Sequence, residues 1–330
     1  NRPLQVTASV EMTAPALIAQ AVVLQEPRQL TLRRLTLTPP AAADCVVDID
    51  FSGISTGTER LLWTGRMPPF PGMGYPLVPG YESVGRVVSG GEASGLTAGE
   101  RVFVPGSRGF SEVRGLFGGA AARVVAPAER LIPIGESLGE EGVLLALAAT
   151  AHHALAVSGR LVLPELIVGH GVLGRLIARL VLALDGPAPT VWETNPARRV
   201  ANVGYAVVDP SEDPRCDYRV ICDVSGAHGI LDGLIGRLAR RGSVVLAGFY
   251  EQPVAFAFPP AFMREARLQV AAEWQPEDLQ RVMSLLRSED LSLDGLITHR
   301  ATPTRAADAY RTAFEDADCL KMILDWRSCQ

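Results

Sequence analysis

Hydrophobic and polar residues change their spacing near residue 155 of this 330-residue chain. Before that point, short β-rich runs are separated by turns, with Pro and Gly concentrated between Gly65 and Gly80. Strands are predicted at residues 46–50, 83–88, 101–104 and 122–125. Many short strands with such turn signals indicate a barrel-like β domain.

After residue 160, strand and helix patterns alternate. Residues 161–168 form an apolar run, which is typical of a strand buried on both faces. Residues 172–184 carry apolar side chains at helical spacing, and Gly186 is placed to end that helix. Further strands are predicted at 190–192, 206–208, 219–222 and 243–247, and further helices from Pro196 and over 230–239. The alternation predicts an α/β fold with a doubly wound parallel sheet.

Composition narrows the range of functions. The length leaves room for two domains, and the net charge of -5 gives no reason to expect a nucleic-acid partner. Lys321 is the one lysine among 31 basic residues, a skew that we attribute to coding composition. No apolar run approaches the ~20 residues of a membrane helix, so no stable membrane anchor is expected.

The five cysteines are widely spaced and form no C-x-x-C pair. This supports neither a disulfide framework nor a structural zinc lobe, and it is typical of a protein of the reducing cytoplasm. Residues 12–24 lack the basic flank of a secretory signal and are interpreted as the approach to a first strand. Met12 is a candidate native start, which would make residues 1–11 extra sequence.

A G-x-G-x-x-G motif follows the 161–168 run and opens the next helix; it consists of Gly169, His170, Gly171, Val172, Leu173 and Gly174. In this strand–helix setting the motif predicts a dinucleotide site. Gly169 permits the tight turn, Gly171 lets a pyrophosphate approach the backbone, and Gly174 allows close helix packing. The phosphates would lie on the helix N-terminus. His170 is interpreted as a solvent-facing spacer.

Glu193 follows the second strand of this unit, about 24 residues after the glycine turn begins. A carboxylate there accepts hydrogen bonds from ribose hydroxyls and repels a 2′-phosphate, so it favours NAD over NADP. Arg198 and Arg199 lie close behind and keep NADP open as the alternative. Ser225 and Gly248 are predicted at the carboxyl ends of later strands, where open α/β sheets bind ligands.

The order of a β-rich domain, a dinucleotide unit and a short return segment resembles the medium-chain dehydrogenase/reductase family. The segments that carry the resemblance, besides the glycine motif, are "PGYESVGRVV" (79–88), "AGERVFV" (98–104), "LLALAATAHHAL" (144–155) and "LKMILDW" (320–326). The resemblance implies a GroES-like catalytic domain (19–150 and 275–330) and a Rossmann domain (151–274), after an N-terminal extension (1–18).

The chain departs from the zinc enzymes of that family at their metal-ligand positions. Those enzymes carry G-I-C-G-T-D, then P-G-H-E, then a Cys before a Thr-Ala pair. Here Ser55 stands in the first motif without a cysteine, Tyr81 replaces the histidine of the second, and Ala146 occupies the third position. Only Glu82 survives, and one carboxylate is not a zinc site, so no metal is expected.

Without zinc, side chains must handle the proton of an alcohol, and the residues that match the site are Ser55, Thr58, Glu59, Tyr81 and Glu82. Tyr81 is the candidate for the substrate oxygen, although an unperturbed Tyr has a pKa of about 10, so a base would need a nearby cation or the positive ring of the cofactor to lower it. Thr58 matches the family hydroxyl that relays a proton towards the ribose. Packing of Tyr81 in the wall, and a turn-stabilising role for Glu59, are the alternatives.

One predicted helix carries three further candidates. Thr150 matches the family threonine that lies beside the nicotinamide ring. His152 and His153 are adjacent, so they point about 100° apart on a helix and are not expected to share a ligand face. They are interpreted as packing or capping residues, with a catalytic or macrocycle-ligating role as the alternative.

Residues 51–87 resemble the branch of the family that oxidises the hydroxyethyl group at ring carbon 3 of a bacteriochlorophyllide with NAD. The resemblance implies a macrocyclic substrate, and because such a planar pigment is membrane-loving, we expect the protein close to the membrane surface. The candidates for a stiff apolar wall against the macrocycle are Trp63, Met67, Phe70, Met73 and Tyr75. A loop that simply packs on the domain is the alternative. The candidate partners of the substrate propionate are Arg66, Arg108 and Arg114.

The sequence leaves two rival functions open. A zinc-free quinone or enone reductase of the same fold would use NAD(P)H on an activated alkene, and a non-enzymatic relative would only carry the dinucleotide or the pigment. By family analogy a homodimer is expected to form through the edge strand of the Rossmann sheet, near residues 243–250.

Overall fold

A computed structural model describes residues 16–90, 93, 95–114, 116–200 and 203–330. Residues 1–11 and Met12, and with them most of the predicted N-terminal extension, lie outside the described residues. The first strands are β1 (Ile18–Glu26), β2 (Gln29–Thr36), β3 (Asp44–Ile54), β4 (Ser83–Gly90), β5 (Arg101–Val104), β6 (Arg123–Pro127) and β7 (Ile132–Pro133). The later strands are β8 (Leu166–Val168), β9 (Thr190–Trp192), β10 (Ala206–Val208), β11 (Tyr218–Asp223), β12 (Leu238–Leu246), β13 (Arg267–Val270), β14 (Ile297–Ala301) and β15 (Lys321–Asp325). The helices are α1 (Thr58–Thr64), α2 (Leu145–Ala156), α3 (Val172–Ala183), α4 (Leu231–Gly236), α5 (Phe258–Arg264), α6 (Pro276–Arg287) and α7 (Ala306–Glu315).

The β-rich half forms a sheet with strand order β14-β15-β3-β4-β5-β7, and β6 also pairs with β3. Strand β3 is central because it pairs antiparallel with β15, β4 and β6. Nearly all of its residues are buried, which fits a strand enclosed by neighbours. The last strands of the chain, β14 and β15, therefore complete the domain that β3 begins, and the GroES-like expectation is confirmed.

The second sheet has the order β10-β9-β8-β11-β12-β13, and every pairing in it is parallel. All three residues of its central strand β8 are fully or almost fully buried. Strands β9 and β10 are added on one side of β8, whereas β11, β12 and β13 are added on the other. The strand order therefore reverses between β8 and β11, and the carboxyl ends of these two strands flank the crevice where such sheets bind ligands. The predicted α/β class with a Rossmann sheet is confirmed.

Several predicted boundaries are wrong for local reasons. Only Leu166–Val168 of the 161–168 run is strand, and Leu161 is 47% exposed. Helix α3 ends with Asp185 at φ 57, rather than with Gly186. Gly186 is instead a packing glycine, because a Cβ there would lie 2.5 Å from the Leu163 side chain.

Two predicted helices are also shorter than expected. The predicted helix 230–239 stops at Gly236 because β12 already begins at Leu238. The helix expected from Pro196 is a single 3₁₀ turn, Pro196–Arg198.

The edge of the parallel sheet differs from the prediction. Residues 243–246 belong to β12, which pairs with β11 on one side and β13 on the other. The edge strand on this side is β13, a segment that the sequence pattern did not predict. Its Val270 is 72% exposed, and the neighbouring helix α5 exposes Phe258, Phe262 and Met263. The apolar edge face is defined here as these four residues.

No helix among the described residues is long and apolar enough to span a bilayer.

Candidate active site

The candidate proton-transfer groups are brought together where β3 ends and α1 begins. Ser55 follows β3, and its backbone N–H donates to Glu59 Oε2 at 2.5 Å, which closes the turn into α1. Tyr310, on α7, donates its hydroxyl to Glu59 Oε1 at 3.1 Å. Thr58 is the first residue of α1 and is partly exposed on the same turn. The turn-stabilising alternative for Glu59 therefore describes its contacts well.

Tyr81 enters the site from the segment before β4. Its hydroxyl donates to Ser55 Oγ at 2.5 Å, and its ring packs edge-on against Phe117 with a centroid distance of 5.0 Å. Burial raises the pKa of Tyr81 above its usual value, and the carboxylates of Glu82 and Glu59 raise it further. The hydroxyls of Ser55 and Thr58 lower this pKa but do not outweigh the rise, so in this arrangement Tyr81 is a hydrogen-bond donor rather than a phenolate base.

Glu59 is 1% exposed. Burial raises its pKa to about 8, against the opposing hydrogen bond from the Ser55 N–H, and the neighbouring Glu82 adds to the rise. At neutral pH the Glu59 carboxyl is therefore largely protonated. A proton can be held at this position without a metal ion.

Glu82 is fully buried, and its Oε2 accepts a hydrogen bond of 2.6 Å from Lys321 Nζ. Lys321 is 1% exposed and also donates to the Ile54 carbonyl oxygen at 3.2 Å. Sequence reasoning missed this partner. The sequence did mark Lys321, because it is the one lysine of the chain. Lys321 and Glu82 are 239 residues apart in the sequence, however, so no local pattern indicates that they pair.

The zinc positions of the family do not provide a metal site here. Ser55 and Tyr81 contact each other through hydroxyls, Ala146 offers no ligand atom, and Glu82 is held by an ammonium. Across the described ranges, no group of three or more His, Cys, Asp or Glu side chains is arranged to hold a metal ion. The residues therefore do not fit the family's zinc ion, since such sites use His and Cys ligands.

Helix α2 presents Thr150, which is partly exposed and whose hydroxyl donates to the Ala146 carbonyl at 3.0 Å. The expectation that His152 and His153 cannot share a partner is wrong. Their Nδ1 atoms lie 2.7 and 2.8 Å from the two oxygens of one carboxylate, Asp278 on α6. Burial opposes the ionisation of Asp278, but its hydrogen bonds to His152, the Gln275 N–H and His153 keep its pKa low. The histidines join two helices, so the packing interpretation describes them.

The glycine motif has the geometry of a dinucleotide loop. Gly169 has φ 106 at the end of β8, and a Cβ on Gly174 would collide with the Gly169 carbonyl oxygen. A Cβ on Gly171 would meet no atom within 4 Å, so the backbone faces open space where a pyrophosphate approaches. Val172 and Leu173 follow in the first turn of α3, with N–H groups available to anions. These residues fit a nicotinamide dinucleotide.

His170 is not the solvent-facing spacer that was predicted. It is fully buried, with Nδ1 2.7 Å from the Arg198 carbonyl and Nε2 2.9 Å from the Tyr205 hydroxyl. Burial lowers its pKa to about 4, so the ring is neutral. Nδ1 must carry the proton, because the Arg198 carbonyl can only accept. His170 thus fastens the glycine loop to the segment after β9.

Glu193 lies beside the same loop. Its Oε2 accepts from the His170 N–H at 3.1 Å and its Oε1 from the Asn195 N–H at 2.8 Å. Arg199 is bound to Asp209 at 2.7 Å, and Arg198 donates through Nε to the Ala317 carbonyl at 2.8 Å. Arg199 also donates to the Glu193 carbonyl at 3.4 Å, so both arginines are engaged with oxygens of the protein.

Ser225 and Gly248 lie at the carboxyl ends of β11 and β12, as predicted. Ser225 donates its hydroxyl to Asp223 Oδ1 at 2.6 Å. A Cβ on Gly248 would lie 2.8 Å from the Gly226 backbone nitrogen, so the two loops approach closely. Asp223 is fully buried and also accepts from the Tyr250 hydroxyl at 2.5 Å. This carboxylate, which sequence reasoning missed, fixes both loops at the crevice.

Most of the proposed apolar wall packs inward. Trp63 is 8% exposed and stacks at 5.4 Å from Phe314, while the Tyr75 hydroxyl donates to the Leu62 carbonyl. Met67 and Met73 pack on the same barrel core, and Phe70 is the exposed member at 38%. The alternative of a loop packed on the domain therefore describes four of the five residues.

Two of the three arginines considered for the substrate carboxylate have other partners. Arg108 binds Asp44 at 2.8 Å, and Arg66 lies 3.4 Å from Glu251, which follows β12 in the Rossmann half. Arg114 is exposed and makes no ion pair within the described part of the chain.

Comparison with known proteins agrees with this geometry. Residues 41–136 match the family model of the alcohol dehydrogenase GroES-like domain. L-idonate 5-dehydrogenase from Escherichia coli superposes with a TM-score of 0.82 at 19% identity, over 94% of this chain and 99% of that one. 2R,3R-butanediol dehydrogenase from Bacillus subtilis gives a TM-score of 0.79 at 19% identity, over 93% and 99%. These likenesses show the fold, which is that of the medium-chain alcohol dehydrogenases.

Two relatives define the family more narrowly. The 2-desacetyl-2-hydroxyethyl bacteriochlorophyllide A dehydrogenase of Rhodobacter capsulatus is 58% identical over 94% of this chain and 99% of its own length. The protein of the same name from Cereibacter sphaeroides is also 58% identical, over 93% and 98%. The chain belongs to the family of these hydroxyethyl bacteriochlorophyllide dehydrogenases. The predicted resemblance and the expected oxidoreductase class are confirmed.

Proposed function

We propose that the protein oxidises the ring hydroxyethyl group of a bacteriochlorophyllide to an acetyl group, with NAD as the hydride acceptor and without zinc. The observation that carries the proposal is the 2.5 Å hydrogen bond from Tyr81 to Ser55, at two positions where zinc relatives place metal ligands. The 58% identity to two hydroxyethyl bacteriochlorophyllide dehydrogenases supports the substrate class.

The cofactor is held by the glycine loop and by Glu193. The loop N–H groups receive the pyrophosphate, and the Glu193 carboxylate receives the ribose hydroxyls. The engagement of Arg199 with Asp209 and of Arg198 with the Ala317 carbonyl supports NAD over NADP, because a 2′-phosphate would have to compete with these acceptors. Thr150, Ser225 and Gly248 are assigned to the nicotinamide end of the same crevice. When bound, the cofactor accepts the hydride from the alcohol carbon.

The hydroxyl groups carry the alcohol proton away from the substrate. The Tyr81 oxygen accepts a hydrogen bond from the substrate hydroxyl and passes its own proton to Ser55, along the contact already present. Thr58 lies on the same turn and extends the relay towards the ribose. Because burial raises the pKa of Tyr81, it acts in concert with this relay and not as a resting phenolate. Glu59 and Glu82 are buried beneath the hydroxyl groups and do not contact the substrate. Their role is to hold the surrounding segments in place.

The macrocycle lies over the exposed side of Tyr81 and Phe117. Phe117 adopts φ 67, which is uncommon for a bulky residue and places its ring against Tyr81. Arg114, three residues away and without an ion pair in the described ranges, is the partner of the substrate propionate.

A second copy of the chain is the expected protein partner. Strand β13 offers an unpaired edge, and the apolar edge face exposes Phe262 at 64% and Met263 at 71% beside it. Pairing of β13 with its symmetry mate would cover both features in a two-fold dimer.

Turnover of the authentic pigment tests the function. Protein with NAD and the hydroxyethyl pigment should produce the acetyl pigment, seen as a red shift of the visible absorption, and a chelator should leave the rate unchanged. An absence of spectral change would refute the substrate assignment. Loss of activity in chelator that zinc restores would refute the metal-free mechanism. Reduction of quinones or enones with NADPH in place of pigment oxidation would identify the rival reductase.

A further inference from the structure

The buried lysine contacts both segments that carry the hydroxyl pair. Lys321 Nζ donates to the carbonyl of Ile54, which immediately precedes Ser55, and to the carboxylate of Glu82, which immediately follows Tyr81. These two segments are otherwise separate in sequence, and the Tyr81–Ser55 hydrogen bond spans the gap between them. One ammonium therefore contacts both segments just beyond the point where β3 and β4 pair, next to the two residues that carry the hydroxyls.

The surroundings of this ammonium are built to receive it. The backbone N–H of Gly53 donates to the Glu82 carbonyl at 2.7 Å, and a Cβ on Gly53 would lie 2.6 Å from Glu82 Oε2. Glycine at this position thus makes room for the carboxylate on which the lysine is seated. An ammonium is costly to bury unless it is paired in good geometry, and both of these contacts are within hydrogen-bond distance.

Two buried carboxyl groups, Glu59 and Glu82, lie near the ammonium, and within the described ranges Glu82 Oε1 has no hydrogen-bond partner. Because Glu59 is largely protonated at neutral pH, Glu82 is the carboxylate that pairs with Lys321. The remaining titratable groups that face them are the hydroxyls of Tyr81 and Tyr310. The second contact, to the Ile54 carbonyl, satisfies a further proton of the buried ammonium and at the same time holds the segment that leads into Ser55.

We propose that Lys321 is the positioning residue of the site: its ammonium ties the Ile54–Ser55 segment to the Tyr81–Glu82 segment and so holds the Tyr81 and Ser55 hydroxyls in contact. These are two positions of metal ligands in the family's zinc enzymes; here the hydroxyls that occupy them contact each other directly. The expected loss of kcat rests on the proposed function, whereas the expected displacement of the Tyr81 hydroxyl does not.

A double variant that removes both charges distinguishes a positioning role of Lys321 from a role in charge neutralisation. Lys321→Met alone leaves two buried carboxyl groups without a cation and is expected to lower stability strongly. The double variant Lys321→Met with Glu82→Gln removes both charges and should recover folding, because a buried pair can often be replaced by neutral residues of similar size. If Lys321 positions the hydroxyls, this folded double variant should still show kcat reduced about 10–100-fold, with KM and NAD affinity within about twofold.

The structural readout uses the uniqueness of this lysine. With ¹³C at the lysine ε carbon, the side chain gives one signal, which should shift in Glu82→Gln because the carboxylate that contacts the ammonium is lost. Tyrosine labelled at the ring carbon that bears the hydroxyl, assigned through Tyr81→Phe, should show the Tyr81 signal displaced in the double variant. The matched control is Arg123→Met with Asp48→Asn, which removes an ion pair between β6 and β3 away from the site.

The outcomes are distinct. A displaced Tyr81 signal together with a lowered kcat in the folded double variant supports positioning. An unchanged Tyr81 signal, or full recovery of kcat together with folding, overturns it. If the wild-type protein fails to oxidise the pigment, the proposed function fails, whereas the tyrosine and lysine signals still decide whether Lys321 holds the two segments.

Discussion

The glycine loop and the hydroxyl site differ in how they are assembled. The loop is one continuous segment, Gly169–Gly174, whose chemistry comes from backbone N–H groups and from the lack of side chains. The hydroxyl site draws Ser55, Tyr81, Tyr310 and Lys321 from four separate segments, and side-chain atoms make its contacts. A site made of backbone groups requires a fixed local motif and can be recognised from it. A site made of side chains can change its residues, and with them its chemistry, while the fold stays the same.

The largest effect is expected from filling the loop. Gly174→Val should abolish measurable NAD binding and cost about 1–3 kcal/mol of unfolding free energy, because its side chain would be forced against the Gly169 carbonyl. Calorimetric titration with NAD and denaturant unfolding measure both. Gly233→Ala is the matched control, since a Cβ on Gly233 in α4 meets nothing within 4 Å. NAD binding by Gly174→Val at wild-type affinity would contradict the loop assignment.

In the hydroxyl site, removal of one oxygen should affect the reaction and not the cofactor. Tyr81→Phe is expected to lower kcat about 10²–10³-fold, because the relay to Ser55 loses its first member. Steady-state kinetics with the pigment and NAD titration distinguish the two effects. Unchanged turnover would leave Tyr81 as a packing residue of the wall.

An intermediate effect is expected where a side chain supports the backbone loop. Glu193→Ala should weaken NAD binding about 10–100-fold, since a carboxylate that accepts several hydrogen bonds is lost. Glu212→Ala, an exposed residue of the turn after β10, is the control. If the affinity for NAD stayed the same, the preference for NAD would have another origin.

The last effect concerns stability and not NAD binding or turnover: a pH dependence of unfolding that comes from Glu59. Its pKa is about 8 in the folded protein, against about 4.3 in an unfolded chain. The folded state therefore holds an extra proton between these values, and the free energy of unfolding falls as the pH rises through this window, by at most ~1.4 kcal/mol per pH unit. Glu59→Gln should flatten this slope in denaturant titrations from pH 5 to 8, and the exposed Glu315→Gln should not. A slope that persists in Glu59→Gln would assign it to another group.

The same contrast explains what sequence reasoning could reach. Short strands such as Arg101–Val104 and Thr190–Trp192 were predicted to the residue, because their neighbours are turns with strong local signals. The burial of His170, the shared Asp278 carboxylate and the edge position of β13 were missed. Each depends on a partner distant in the chain, and no local pattern encodes that partner. The domain boundaries at residues 150 and 274 and the catalytic roles stay predictions.

By itself the sequence determined the two-part fold, the dinucleotide loop and the lack of the family's metal ligands, since each lies in a contiguous motif. Only the tertiary structure decided that Tyr81 meets Ser55 and that Lys321 lies beneath both. The physical reason is that an ammonium can be buried only where the fold provides its acceptors, and Ile54 and Glu82 become neighbours of Lys321 only when β15 pairs with β3.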